Sequence, residues 1–384
     1  MGIGERNRSA AIPGRVLLIS PVPPPYGGMA LQAVLLQKKL RVDGVSAELL
    51  GYSHPLPPAF RFLERIPGLR TLFRAGRFCI TAWQRVRSSD VIHILAASWI
   101  YFFLIVCPAV LMSRLQGKRV ILNYRGGDAD QFLKWCGWLV KPVFQMADVI
   151  TAPSGFLAQV IRHRVGLSVA IVPNIVDFSR FHYRDHSPVQ PKMLVTRHLE
   201  ELYGIESVLR AFRHIQSKHP TASLWIAGTG TQEAYLRNLA SNWALRNVKF
   251  LGHIDHGSLA GVYDQCDILL NASRIDNFPA SLMEASAAGL VVVSTDAGGI
   301  PFMYEHGKNA LLAAIGDWQG LASEVECVLR QQDLARSLAF AGRQLCQQCD
   351  WANVRHRLYA VYGFAAPDKR EQPETMDGAR CLRT

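Results

Sequence analysis

Short runs of branched apolar residues recur along the first half of the chain, at Arg15–Ser20, Val45–Leu50, Val91–Leu95, Arg119–Tyr124, Val149–Ala152 and Ala170–Val172, separated by helix-length segments. The polar, proline-containing stretch Tyr183–Lys192 interrupts this alternation and reads as a linker. The pattern restarts at Met193–Thr196 and continues through Ser223–Ala227, Val248–Leu251, Ile268–Leu270 and Leu290–Ser294. Continuous Val/Ile/Leu runs are the signature of parallel strands covered on both faces, so the pattern predicts an α/β chain of two doubly wound, Rossmann-like domains. Residues 1–185 form the first and 192–350 the second. A helix follows over 351–365, with apolar residues at Trp351, Val354, Leu358 and Val361, and the polar stretch 366–384 reads as a mobile tail.

Composition agrees with two domains. The chain has 384 residues, 49% of them hydrophobic, which excludes a disordered chain. Eight cysteines lie scattered, without the framework of a secreted scaffold, and point to a reducing cytoplasm. Cys346-Gln-Gln-Cys349 lacks the second pair that a metal site needs. The N-terminus is polar up to Arg15 and carries no secretory signal pattern. Ile94–Met112 is free of charge for nineteen residues, near the roughly 20 that span a bilayer, but Pro108 interrupts it. A buried strand at Val91–Leu95 and a buried helix over Ser98–Leu115 are the expectation.

Lys plus Arg outnumber Asp plus Glu by 42 to 30, a net charge of +12. Much of the excess lies in Phe60–Arg87, where seven arginines face a single acid, Glu64, and alternate with aromatic and aliphatic residues. The stretch reads either as a solvated helical face or as a surface that lies on an anionic membrane. No nucleic-acid motif accompanies it, so nucleic acid is not the expected partner.

In open parallel sheets, ligands collect beyond the carboxyl ends of the strands, and four loops there are unusual. The first ends in Gly27-Gly28 at a helix start, either a plain tight turn or a place where the backbone approaches a ligand closely. The second, Arg125-Gly-Gly-Asp128-Ala-Asp130, offers a metal clamp or a helix cap. The third places Arg197 at a strand end, where its forked guanidinium suits a diphosphate. The fourth runs from Arg274 through Asp276 and Pro279 into a helix expected over Pro279–Ala288, closed by Gly289. Asp276 before that helix and Glu284 inside it can each grip a pair of vicinal hydroxyls, while the free N–H groups of the first turn favour negative charge. The alternative is a capping Asp and a solvated Glu.

These features resemble, in order and spacing, the family 4 glycosyltransferases of the GT-B fold, over about Arg15–Phe364. The matching pieces are Pro-Pro-Pro-Tyr-Gly27-Gly28, Ala147-Asp148-Val-Ile, Val172-Pro-Asn174-Ile-Val-Asp177, Gly228-Thr-Gly230, Phe250-Leu-Gly252 and Asp276-x7-Glu284. The resemblance implies two domains facing a central cleft, with the helix 351–365 packing back toward the first. It implies retaining transfer of a sugar from a UDP- or GDP-sugar to a glycan or lipid-linked acceptor in cell-surface polysaccharide biosynthesis, without metal or other cofactor, at the cytoplasmic face of the membrane. The paired acids are usually Glu-x7-Glu; here Asp276 takes the first place, so contact with the sugar shifts toward Asn277, Phe278, Pro279, Ala280 and Ser281, and Glu284 takes the ribose. Arg197 falls on the diphosphate, Gly228 joins the donor-binding residues, and Tyr203 stands where a second cation, a Lys, is expected. Gly27, Gly28 and Arg125 would close the site from the first domain, Arg125 occupying a His position and acting on phosphate charge, since it stays protonated at neutral pH. A sugar-nucleotide epimerase on the same architecture, or a non-catalytic partner in a glycan assembly complex, are the rival readings.

Overall fold

The computed structural model of the protein describes residues 14–23, 27–52, 67–255 and 257–364, and of residues 67–70 the helical backbone alone. Residues 24–26 of the first loop, residues 60–66 of the basic stretch and the tail 366–384 lie outside the described residues.

Two six-stranded, wholly parallel sheets carry the architecture. The first contains β1 (Val16–Ser20), β2 (Ala47–Gly51), β3 (Val91–Ala96), β4 (Arg119–Tyr124), β5 (Val149–Ala152) and β6 (Ala170–Ile171), in the order β2-β1-β3-β4-β5-β6. Its strands β1, β3 and β4 are nearly all buried, as their unbroken apolar runs require. One face is covered by α2 (Pro67–Arg87), α3 (Cys107–Leu115), α4 (Ala129–Gln145) and α5 (Gly155–Val165). The other is covered by α1 (Gly28–Val42) and by the last described helix, whose Trp351, Val354 and Leu358 pack with Val16, Leu18 and Ile121.

The second sheet contains β7 (Lys192–Thr196), β8 (Ser223–Ala227), β9 (Val248–Gly252), β10 (Ile268–Asn271), β11 (Val291–Thr295) and β12 (Leu311–Ala313), in the order β12-β11-β10-β7-β8-β9. Helices α6 (Ile205–Lys218), α7 (Glu233–Asn242), α10 (Trp318–Arg330) and α11 (Gln332–Gln347) cover one face. The short α8 (Leu259–Tyr263) and α9 (Ala280–Ala288) cover the other. The chain then returns to the first domain through α12 (Trp351–Tyr362). The two crossing segments are bonded to each other and to α1: Val176 N–H donates to the Cys349 carbonyl at 2.9 Å, and the Gln32 amide exchanges two hydrogen bonds with the Ile175 backbone.

Three expectations need correction. The helix expected over 98–115 runs from Ile100 to Leu115, with a π-helical turn at Phe102–Val106, but it is not wholly buried: Ile100, Tyr101, Leu111 and Leu115 are exposed. Apolar composition alone does not distinguish burial from an apolar surface. The stretch 183–192 is no loose linker. His186 is buried against Asp267, its Nδ1 2.6 Å from Oδ1, and Val189 enters the core of the second sheet. The helix after Pro279 begins at Ala280, with Pro279 as the extended residue before it, and Gly289 ends it at φ 94°.

Candidate functional site

In each sheet the strand order reverses at one point, and the loops on either side of it part to leave a crevice. In the second sheet that point lies between β7 and β10, the strands that precede Arg197 and the Asp276–Ser281 loop. The carboxyl ends of both sheets open into one cavity of about 1090 Å³. It brings together Gly28 and Arg125 from the first domain with Arg197, Gly228, Asp276, Asn277, Phe278, Ala280, Ser281 and Glu284 from the second. Gly27 caps α1 beside it without lining it, and Pro279 is buried behind the loop. A Cβ placed on Gly27 or Gly28 would meet nothing within 4 Å among the described residues.

Arg197 is fixed on three sides. Its Nε donates to Asn271 Oδ1 at 3.0 Å, its Nη2 to Asp276 Oδ2 at 2.6 Å, and its guanidinium lies 5.4 Å over the Tyr203 ring. Tyr203 thus stacks on the Arg197 cation. The Arg197 backbone is equally constrained: Gly228 has φ 146°, and a Cβ there would run into the Arg197 carbonyl oxygen. Gly298 and Gly299 serve the opposite loop. A Cβ on either would strike the carbonyl oxygen of Asp276 or Asn277, and Gly299 N–H donates to Asp276 O at 2.7 Å.

Glu284 lines the cavity from one turn into α9 and accepts a hydrogen bond from the Tyr263 hydroxyl at 3.0 Å. Burial lifts its carboxyl to about 7, against the opposing pull of the Tyr263 hydrogen bond and of the Arg180 and Arg197 charges. In the loop before it, Asn277 Nδ2 donates to the Gly126 carbonyl at 2.6 Å and ties the two domains together across the cleft. Asn277 Oδ1 and Ser281 Oγ are buried without a hydrogen-bond partner among the described residues, polar atoms that a ligand in the cleft would satisfy.

Arg125 enters from the first domain at the end of a buried polar chain. Its Nε donates to Asn123 Oδ1 at 3.2 Å, the Asn123 amide donates to His93 Nε2 at 3.1 Å, and His93 Nδ1 meets the Tyr362 hydroxyl of α12 at 2.6 Å. With Nε2 accepting, the His93 proton sits on Nδ1 and points to Tyr362. Burial, helped by the Arg125 charge, pushes His93 down to about 3, so the ring is neutral, while Arg125, lowered by burial to about 10, stays charged at neutral pH. In the second loop Asp130 is bound by Arg164 through two hydrogen bonds of 2.8 and 2.9 Å, and Asp128, which precedes α4, makes no side-chain cap.

The sequence alone did not reveal Tyr263, Arg180 or the polar chain behind Arg125. Arg180 and the exposed Lys38 line the same cavity as Arg197, so several cations face it. Neither carries a local motif; only the fold brings them to the cleft.

Residues 184–345 match the family described as glycosyl transferases group 1, and residues 26–180 that described as glycosyltransferase family 4. A glycogen synthase of Mycobacterium tuberculosis is 27% identical over 323 residues, which cover 79% of this chain and 75% of that protein. HepE of Anabaena, solved with UDP-glucose, superposes with a TM-score of 0.70 at 17% identity, over 91% of this chain and 98% of HepE. A sucrose-phosphate synthase of Thermosynechococcus elongatus superposes at 0.72 with 18% identity, over 91% and 98% of the two chains.

Proposed function

The chain belongs to the family 4 type of glycosyltransferases with the GT-B fold, and on that footing we propose that it transfers a sugar from a UDP- or GDP-sugar, with retention at the anomeric carbon, to a glycan or lipid-linked acceptor in cell-surface polysaccharide biosynthesis. The observation that carries this reading is the placement of Arg197 and Glu284 on the two sides of one crevice, beside the open N-terminus of α9. Glu284 accepts from the ribose hydroxyls. Arg197, which keeps guanidinium N–H groups beyond those given to Asn271 and Asp276, donates to the diphosphate. The sugar lies against the Asp276–Ser281 loop, where Asn277 Oδ1 and Ser281 Oγ supply polar contacts.

In the transfer step the bond from the anomeric carbon to the β-phosphate oxygen breaks, and a bond to the acceptor oxygen forms on the same face. The acceptor proton passes to the departing phosphate. Arg197 and Arg125 hold the charge that builds on that phosphate, from opposite walls of the cleft. No protein nucleophile and no metal enters this account.

Residues of the Phe60–Arg87 stretch that are described lie on α2, which has arginines in its last turn and no acidic residue. Among the described residues no helix is long and apolar enough to cross a membrane. Peripheral attachment of this basic helix to the inner face of an anionic membrane is the localisation we propose.

Thermal melts of the intact chain against UDP-, GDP- and ADP-sugars test the donor half. Ligand at 100 times its dissociation constant adds about 2.7 kcal/mol to the folded state. A stabilising UDP- or GDP-sugar supports the reading, and no response to either rejects it.

A further inference from the structure

The outward faces of α2, α3 and α4 carry side chains that a layer facing plain water does not need. On α4, Trp135 and Trp138 stand one turn apart, 68% and 78% exposed. Ile80 and Trp83 of α2 and Leu115 of α3 are exposed as well. The three helices are neighbours in the single layer over this face of the first sheet, α3 packing against both α2 and α4. The same helices carry exposed cations: Arg77 and Arg87 on α2, Lys134 and Lys141 on α4. The one acid of α4, Asp130, is held by Arg164, and α2 has none.

Indole rings combine an apolar body with an N–H donor and settle at the headgroup level of a bilayer. Cations around them add attraction to anionic lipid. A protein partner fits less well, because the centre of a protein interface is depleted in lysine. At its cleft end the face continues into Trp99, Ile100 and Tyr101, all exposed, with the Trp99 ring edge-on to Phe132 of α4 at 5.4 Å. These residues follow β3, and Arg125 follows the adjacent β4 at the same end of the sheet.

We propose that the outward face of α2, α3 and α4, centred on Trp135 and Trp138, seats in the headgroup layer of an anionic bilayer, so that the cleft takes its acceptor from that layer as a lipid-linked sugar. The docking stands on the surface itself, and the choice of acceptor rests on the transferase reading above. Docking by indoles differs from attachment by arginines in one measurable way: charge attraction is screened by salt, whereas indole insertion is not.

Flotation with phosphatidylcholine–phosphatidylglycerol vesicles at low salt and at about 0.5 M salt reads both parts. The intact chain is expected to float at low salt and to keep a salt-resistant remainder. A Trp135→Ser/Trp138→Ser variant should lose at least roughly tenfold in vesicle partition, including that remainder, with its melting temperature and its nucleotide-sugar binding in solution unchanged. An Arg77→Gln/Arg87→Gln variant should lose the salt-sensitive part alone. The proposal is overturned if the tryptophan variant floats within about twofold of the intact chain, or if the intact chain does not float. Nucleotide-sugar binding, measured without vesicles, reports separately on the transferase reading.

Discussion

Arg197 Nη2 and Asp276 Oδ2 are 2.6 Å apart across the point where the second sheet reverses its strand order, in a pair whose side chains are 13% and 9% exposed. The Asp276 carboxylate thus holds the cation that we propose meets the diphosphate. Asp reaches one methylene less far than Glu, and here it faces its own domain's guanidinium.

The pair makes a prediction with two signs. Arg197→Ala removes a charged donor worth about 1.5–3 kcal/mol and should weaken nucleotide-sugar binding roughly 10- to 150-fold. Asp276→Asn leaves the guanidinium uncompensated and should bind free nucleoside diphosphate at least as tightly as the parent, while turnover of the nucleotide-sugar drops. Calorimetric titration with UDP and GDP beside initial rates separates the effects. Weaker diphosphate binding by Asp276→Asn contradicts the assignment of Arg197.

Glu284 should trade stability for binding. Its carboxyl is lifted to about 7 in the folded chain, so it stays protonated there while the unfolded chain ionises above its usual value of 4.5. A group raised in the fold contributes fully at low pH and loses that contribution as pH climbs through the window from 4.5 to about 7. Glu284→Gln should therefore raise stability by under about 1 kcal/mol at pH 5 and by up to about 3 kcal/mol at pH 8, and weaken the donor at both. Urea melts at the two pH values check the sign; equal effects at both would remove the buried, protonated Glu284 from the account.

Arg125→Ala should cut turnover by roughly 10²-fold or more with little change in donor KM, as loss of a group acting on transition-state charge does. Tyr362→Phe frees the far end of the chain through His93 and Asn123. It should lower turnover less, at a cost of about 1 kcal/mol in stability. An Arg125→Ala enzyme with parental turnover, or a Tyr362→Phe enzyme whose loss lies wholly in donor KM, argues against this role.

Gly228 has no room for a methyl group. Gly228→Ala forces the backbone out of φ 146° or displaces the Arg197 carbonyl, and should destabilise by more than about 1 kcal/mol and weaken donor binding with it. A parental melting temperature would show that the loop gives way freely.

The fold was largely legible because buried parallel strands are written as unbroken apolar runs: β4 and β5 begin and end where Arg119–Tyr124 and Val149–Ala152 place them. The three-residue strand β12, Leu311–Ala313, escaped because so short a run has no period to read. In the cleft, Gly28, Arg197, Asp276 and Glu284 were legible through their position after strands. Their pairings were not. Asn271, Asp276 and Tyr203 reach Arg197 through the pairing of β7 with β10 and a local turn, and Tyr263 reaches Glu284 only because α8 and α9 share one face of the sheet.

The most direct test is acceptor-dependent transfer. The purified chain is given labelled UDP- and GDP-sugars with and without a bacterial membrane lipid extract, and nucleotide release and labelled lipid are measured, with Arg197→Ala as control. The account predicts labelled product and nucleotide release that need the extract and collapse in the variant, with the anomeric configuration of the donor kept in the product. Donor conversion without extract, product of inverted configuration, or no conversion of either donor would contradict it.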